Sequence, residues 1–498
     1  MAVDVRAGRD VPERAQRYLR EAGANLIDGT ERPAVGGGTF EDLDPATEEV
    51  LAAVPRSNAD DVDAAVQAAR RAHQDGRWSS VPPVTRARVL QQVADLIADD
   101  ADDLAWIDTL DNGKPWSHAR AEVLAAANCF RYFAGWVDKT YGETIPSAPN
   151  RLVYSLREPV GVCGQIIPWN FPFLMAAWKV APTLAFGNTL VLKPAEQTPL
   201  SALWLFRLLG QVGVPPGVAN LVHGVGEEAG AALVAHPGVD AVTFTGSTEV
   251  GRLVMRASAE HLHRVTLELG GKTPVVVFDD VDVATVARRA AFACFYNAGQ
   301  VCTAGTRLVV SQRIHDELIA RLKAVAESTV VGPGWHADSR MGPVVSREQY
   351  ERVAGYVDVA AGEGAELVTG GHRSGGFDVG FFFEPTVFDR VQVGMRIAQE
   401  EVFGPVLAVQ TFSDEDEGVH VANAVPYGLA ASVWTDDVRR AHRVARRLQA
   451  GTVWVNTFGD FDAAVSFGGY KRSGFGRELG RHAVETYTQV KHVWVATG

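Results

Sequence analysis

Ala241-Val242-Thr243-Phe244-Thr245-Gly246-Ser247-Thr248-Glu249-Val250-Gly251 decides how the middle of this chain is read. Five apolar or β-branched residues end in Gly246-Ser247, and Thr248 then opens a helical pattern that runs to Ala259. A strand that turns directly into a helix is half of a βαβ unit. The same alternation extends on both sides. It predicts strands at Val160–Ile167, Thr189–Leu192, Val218–Val222, Ala241–Thr245 and Val265–Leu269. Helices Pro172–Ala185, Thr198–Gln211, Glu227–Ala235 and Thr248–Ala259 fall between or after them. Elements of these lengths imply a parallel sheet covered on both faces. Right-handed crossovers place its functional loops at the carboxyl ends of the strands.

Beyond Gly270-Gly271 a second alternating block begins. Its expected strands are Val275–Phe278, Arg307–Val310, Val406–Gln410, Ala430–Trp434 and Val453–Val455, interleaved with helices Val283–Tyr296, His315–Ser328, Ser346–Ala361 and Asp436–Leu448. The fold class is therefore α/β, with two doubly wound parallel sheets and a cleft between them. Ahead of both blocks, alanine-rich helical runs at 60–74, 84–99, 103–110 and 118–139 read as packing. Arg151–Glu158 and Thr488–Val495 alternate like strands but stand apart, which suggests a small separate sheet whose exposed edges a partner subunit would cover. Residues 1–21 are polar and acidic and read as a short mobile extension, without the apolar core of a secretion signal.

At 498 residues the chain exceeds one ordinary core. Its 47% hydrophobic and 21% charged content is that of a globular protein in water. A net charge of −13 argues against nucleic acid or an anionic membrane as partner. No apolar run approaches the roughly 18–20 residues that span a bilayer. Cys129, Cys163, Cys294 and Cys302 form no CxxC pair, which fits reduced thiols and a cytoplasmic location. No HExxH pattern occurs, and His261 and His263 read as surface residues, so no metal is expected.

Four places carry chemistry. Cys302 sits between Gly299 and Gly305, presented on a turn as a nucleophile or buried as a structural thiol. Asn170 joins a strand to a helix whose first residue is Pro172; its amide stabilises an oxyanion or makes a local turn bond. Glu268 interrupts an apolar strand end beside two glycines, as a general base or half of an ion pair. Lys193 and Glu196 follow a strand, placed to contact a ribose or phosphate, or simply solvated. Gly246-Ser247 at a helix start suits a phosphate. The run Gly224–Gly230 is one residue too long for the GxGxxG fingerprint. Phe171, Met175 and Trp178 share one face of their helix, either core or the wall of a pocket.

Six ordered segments together resemble the aldehyde dehydrogenase superfamily of the hydrolytic, non-acylating type, from about Asn25 to Val495. They are Ile167-Pro168-Trp169-Asn170, Lys193-Pro194-Ala195-Glu196, Phe244-Thr245-Gly246-Ser247, Leu267-Glu268-Leu269-Gly270-Gly271, Gly299-Gln300-Val301-Cys302 and Glu401-Val402-Phe403-Gly404-Pro405. The resemblance implies an N-terminal extension (1–24), a Rossmann-like NAD-binding domain (25–139 and 160–270), a catalytic domain (271–471) and an oligomerisation element (140–159 and 472–498).

It also implies roles. Cys302 attacks an aldehyde, the Asn170 amide and the Cys302 N–H hold the oxyanion, and Glu268 activates the water that hydrolyses the thioester. Lys179 and Glu478 match a proton relay. Ile166, Trp169, Lys193, Glu196, Gly226, Gly230, Phe244, Gly246, Ser247, Leu269, Glu401 and Phe403 match cofactor positions, and Glu196 favours NAD over NADP because it would repel a 2′-phosphate. Phe171, Met175, Trp178, Tyr296, Val301, Thr303, Phe461 and Phe467 match the substrate entrance. Such a wall suits an apolar aliphatic or aromatic aldehyde. Betaine aldehyde, seated by cation–π contact, and a semialdehyde are the alternatives, with Asp460 a solvated loop residue. A cofactor-free cysteine esterase is the rival class; a homodimer or homotetramer is the expected assembly.

Overall fold

The computed structural model describes Val5 and residues 7–498. Its first sheet has eight strands, in the order Thr30–Arg32, Asn25–Ile27, Ala219–Leu221, Thr189–Lys193, Val162–Ile166, Ala241–Thr245, Arg264–Glu268 and Gly474–Phe475. The five central strands are parallel, and the hairpin at one edge and Gly474–Phe475 at the other are antiparallel. In chain order the central five run third, second, first, fourth, fifth, so the winding reverses between Val162–Ile166 and Ala241–Thr245. Loops leaving those two strands diverge and open a crevice.

The strands Thr189–Lys193 and Ala219–Leu221 are buried along their whole length, as a sheet covered on both faces requires. Helix Pro172–Ala185 has every residue but Leu174 buried, including Lys179. A helix apolar on all sides belongs inside a layer, and it packs between the sheet and helix Trp116–Ala134 in the largest core cluster. Its first residue is therefore fixed in space, and with it the Trp169-Asn170 turn.

The second sheet has seven strands, in the order Glu366–Thr369, Thr386–Asp389, Val406–Phe412, Arg307–Ser311, Pro274–Val277, Ala430–Trp434 and Thr452–Val455. All pairs but the first are parallel. A third sheet joins Thr488–Ala496 to Arg151–Pro159 over nine residue pairs, with Thr144–Ile145 on the far edge. Leu152, Leu156 and Val495 lie exposed on one of its faces and Val490 and Trp494 on the other.

Several expectations need correction. Part of the extension expected to be mobile is helix Glu13–Glu21, anchored by the buried Tyr18, whose hydroxyl donates to the Leu200 carbonyl at 2.6 Å; residues 1–4 and 6 lie outside the described residues. Gly474–Phe475, grouped with the terminal element by the resemblance, pairs with Arg264–Glu268 instead. The expected helix Glu227–Ala235 is a wide π-type turn, Gly226–Gly230, followed by the single turn Ala231–Val234. The helix expected to reach Lys139 ends at Ala134. Strands Glu366–Thr369 and Thr386–Asp389 carry too little alternation to be legible in the sequence.

Candidate active site

A cavity of about 820 Å³ opens between the two large sheets, within the usual range for a small-molecule site. Its wall contains Asn170, Glu268 and Cys302. All eight residues expected at the substrate entrance, Phe171 through Phe467, line it as well. Of the expected cofactor positions, Trp169, Gly246, Ser247, Leu269, Glu401 and Phe403 reach it.

Cys302 alone among the four cysteines keeps solvent access. The others are at most 1% exposed, and burial pushes their thiols up, that of Cys294 to about 12. The Cys302 thiol is raised too, first by desolvation and then by the carboxylates of Glu401 and Glu268, while the N–H groups of Thr303 and Cys302 pull it back. A thiol raised in this way needs a proton acceptor before it can act as a nucleophile.

The turn that presents it is built from three successive positive-φ residues. Asn297 and Ala298 lie at φ 50 and 54 and Gly299 at φ 73. A Cβ on Gly299 would stand 2.1 Å from the Gly404 carbonyl oxygen, so only glycine passes there. Gln300, wholly buried, locks the turn: its Nε2 donates to the Asn297 carbonyl at 3.1 Å and its Oε1 accepts from the Val345 N–H at 2.9 Å.

The Asn170 amide donates to the Gln300 carbonyl at 2.9 Å. An amide nitrogen carries two hydrogens, so one is left for an oxygen near Cys302. Glu268 ends its strand buried, and neither carboxylate oxygen has a hydrogen-bond partner. Desolvation, then the charge of Glu478, raises its pKa well above the ordinary carboxylate value; Lys179 and Arg477 oppose the shift. A Cβ on Gly468 would stand 2.6 Å from its Oε1. Lys179 and Glu478, expected as a relay, form a buried ion pair, and of the two only Glu478 lines the cavity.

Away from the thiol, the carboxyl ends of the first sheet form a second cluster. Lys193 Nζ donates to Glu196 at 2.8 Å. The position of a Cβ on Gly226 lies 4.0 Å from Glu196 Oε1, and that of a Cβ on Gly230 lies 3.8 Å from Ile166 Cδ1. Two residues without side chains thus stand beside Ile166, Lys193 and Glu196. Phe244 packs under Gly246, where a Cβ would stand 2.6 Å from its ring. The Ser247 hydroxyl accepts from the Val250 N–H at 3.2 Å and caps the helix. Glu401 accepts from the Gly271 N–H at 3.0 Å, and burial lifts its pKa to about 7. Trp169 and Phe403 meet edge to face at 5.1 Å.

Sequence reasoning missed several contributors. Glu122 lines the cavity from helix Trp116–Ala134, whose sequence reads as packing alone. Its signal is a carboxylate on the buried side of that helix, three residues after Ala119 and four before Ala126. Asp462 rather than Asp460 lines the cavity; the Thr457 hydroxyl donates to Asp460.

The sequence profile of the aldehyde dehydrogenase family matches residues 33–493. An aldehyde dehydrogenase of Emericella nidulans is 47% identical, over 93% of this chain and 93% of its own length. A betaine aldehyde dehydrogenase of Bacillus subtilis is 46% identical, over 91% of this chain and 93% of its own length. The NAD+ complex of a Bacillus cereus aldehyde dehydrogenase superposes with a TM-score of 0.96 at 45% identity, covering 98% of this chain and 99% of that one. A thiol, an amide and an unpaired carboxylate on one cavity wall thus lie in a chain that belongs to the aldehyde dehydrogenase family.

Proposed function

We propose that the protein oxidises an aldehyde to its carboxylic acid with NAD, through a thiohemiacetal and a thioester on Cys302. The carrying observation is that Cys302, Asn170 and Glu268 share one cavity wall with Glu401 and Phe403. The Cys302 thiol gives its proton to Glu268 as the sulfur bonds the aldehyde carbon, and the carbonyl oxygen takes the charge, facing the free Asn170 hydrogen and the Cys302 N–H. One such donor is worth about 3 kcal/mol in a dry site. When bound, NAD supplies the hydride acceptor that turns the thiohemiacetal into a thioester. Glu268, free of protein partners, then takes a proton from water as that water attacks the thioester carbon. The carbon–sulfur bond breaks, the acid leaves, and Glu268 returns that proton to the sulfur, which restores the thiol. The Lys179–Glu478 pair carries the earlier thiol proton onward from Glu268 before the water attacks.

The residues fit NAD. Gly226 and Gly230, bare of side chains beside Lys193 and Glu196, are the place for the adenosine half. Gly246-Ser247 lies at a helix start where pyrophosphate is favoured, and Glu401 stands ready for the nicotinamide ribose. The Glu196 carboxylate opposes a 2′-phosphate, so Glu196→Gln should raise the use of NADP relative to NAD; an unchanged ratio would move the discrimination elsewhere.

Trp178, Phe461 and Phe467 lie mutually 5.6–6.3 Å apart, an aromatic wall suited to an apolar aliphatic or aromatic aldehyde. Asp462 beside it keeps a quaternary ammonium aldehyde as the second reading, in line with the betaine aldehyde relative. NADH production across aliphatic, aromatic, ammonium and semialdehyde substrates, each with NAD and NADP, tests the proposal. Ester hydrolysis without NADH from any aldehyde would put the protein with the cysteine esterases instead. The exposed apolar faces of the third sheet point to a homodimer or homotetramer, which Trp494→Glu should dissociate in sedimentation. Among the described residues no helix is long and apolar enough to cross a membrane; a cytoplasmic site of action accords with four unpaired cysteines.

A further inference from the structure

Beneath the Asn170 turn lies a buried ion pair that the reaction above does not use. Lys114 follows Gly113, which ends helix Ala101–Asn112 at φ 89. A Cβ on Gly113 would meet Pro343 Cγ at 2.7 Å and Pro45 Cγ at 2.9 Å, so the backbone entering Lys114 is fixed. The Lys114 side chain has no solvent exposure and that of Glu122 has 6%. Lys114 Nζ donates to Glu122 Oε2 at 2.5 Å and to the Asn170 carbonyl at 2.8 Å, and stands 4.6 Å from the Phe171 ring centre. Those three directions use an ammonium's three hydrogens. The other oxygen of Glu122 accepts from the Tyr296 hydroxyl at 2.9 Å.

Further hydrogen bonds hold the Asn170 turn. Its carbonyl also accepts from Asn297 Nδ2 at 3.0 Å, and its amide donates to the Gln300 carbonyl. The carbonyl before it, of Trp169, accepts from Asn112 Nδ2 at 2.9 Å. The chain Tyr296–Glu122–Lys114–Asn170 thus runs from the wall of the cavity to the backbone of the oxyanion donor. A buried ion pair adds little stability over an apolar pair of the same shape, yet its hydrogen bonds have fixed directions.

We infer that Lys114 and Glu122 are positioning residues that aim the Asn170 amide at the oxygen on the Cys302-bound carbon, an inference resting on the reading of Asn170 as oxyanion donor. A misplacement of about 1 Å costs on the order of a hundredfold in rate, so loss of this support should be visible in the first turnover.

A double-mutant cycle on the first-turnover rate of NADH formation, at saturating NAD and aldehyde, tests this. Asn170→Ala should lower that rate about 10²–10³-fold. Lys114→Met should lower it roughly tenfold or more, with the NAD dissociation constant and the aldehyde KM little changed. The double variant should be no slower than Asn170→Ala alone, because Lys114 acts only through Asn170. Losses that multiply would overturn the inference and leave Asn170 in its role. An unchanged rate in Asn170→Ala would remove the oxyanion reading and this inference with it. Lys114→Met strands the buried Glu122 charge. If that variant does not fold, Lys114→Met/Glu122→Gln removes both charges together and goes through the same cycle: no further loss on Asn170→Ala supports the inference, and multiplied losses overturn it.

Discussion

The two large sheets face the same cavity with opposite ends. The first presents the carboxyl ends of its strands: Asn170 follows Val162–Ile166, Gly246 follows Ala241–Thr245, and Glu268 closes Arg264–Glu268. The second presents mainly segments that lead into its strands, joined by Phe461 and Phe467 from the loop after its edge strand Thr452–Val455. Cys302 precedes Arg307–Ser311, Glu401 and Phe403 precede Val406–Phe412, and Tyr427 precedes Leu429 and Ala430–Trp434. At the carboxyl end of the second sheet, where an open α/β sheet usually binds its ligand, the strands Pro274–Val277, Arg307–Ser311 and Ala430–Trp434 run into a cluster of paired charges. Arg313 reaches Asp279 at 2.8 Å, Arg440 reaches Asp280 at 3.3 Å, and the Thr435 hydroxyl donates to Asp280 at 2.7 Å. Under the proposed mechanism one sheet supplies the donor, the base and the site of the adenosine half, and the other supplies the nucleophile, with Glu401 and Phe403 for the nicotinamide side. Domain fold alone would have found half of the site.

The division of labour can be broken where the effects are largest. Cys302→Ala should lower NADH formation by a factor on the order of 10⁴ or more while calorimetric NAD binding persists, since the thiol is not among the groups proposed to hold the cofactor. Retained turnover would take the second sheet out of the chemistry. Next, Glu268→Gln on the first sheet should release about one equivalent of NADH per site in a rapid burst and then stall at the thioester, with steady turnover down roughly 10²–10³-fold. A stalled enzyme should carry the acyl mass on Cys302 in an intact-protein mass spectrum. Steady turnover at the parent rate would assign the water to another base.

How much of this is legible in the sequence follows the same split. Helices Pro172–Ala185, Thr248–Ala259 and His315–Ser328 have the expected bounds because an apolar run beside turn residues sets both period and ends. Asn170 and Glu268 are visible as polar residues at apolar strand ends. Cys302 is visible only as a glycine-bracketed thiol, since nothing local says that a segment ahead of a strand lines a cavity. Asn297 and Ala298 at positive φ are invisible: alanine there signals nothing, and tertiary contacts hold the turn. Glu122 and Lys114 are hidden because their meaning lies in a contact with Asn170 that is 56 residues from Lys114. The Gly474–Phe475 edge strand, two residues long, falls below any periodicity.

A smaller effect sharpens the role of Glu401. Burial raises its pKa to about 7, and the Gly271 N–H, Lys272 and Arg352 pull the other way. Below about 7 the group is a neutral acid, and above it a carboxylate that accepts strongly from ribose hydroxyls. NAD affinity should then improve up to about tenfold between about pH 6 and 8 if only the carboxylate binds. Glu401→Gln should flatten that slope. For the cofactor-free protein the linkage has the opposite sense. A carboxyl raised from its unfolded value keeps a proton that the unfolded chain has lost, so stability falls as pH rises toward about 7, and less so in Glu401→Gln. A pH profile of NAD binding identical in variant and parent would detach Glu401 from the ribose.

The smallest expected effect is the one that completes the contrast. If the second sheet's carboxyl end is a closed structural seam, Arg440→Ala should leave kcat/KM within about twofold of the parent and cost about 1 kcal/mol of stability at most. Arg440 is partly exposed and spreads its charge over Asp279, Asp280 and Glu415 at 3.3–4.0 Å, with Phe278 under its plane at 4.7 Å. No single bond there is short, so the loss is distributed. Asp280→Asn removes the charge at the centre of the seam while keeping an acceptor for Thr435, and it should be milder still. A tenfold fall in kcat/KM from either variant, with the melting midpoint unchanged, would mean that this end communicates with the cavity through the strands Pro274–Val277 and Ala430–Trp434. In that case the two sheets would differ in which end holds the reacting groups and not in which end matters for turnover.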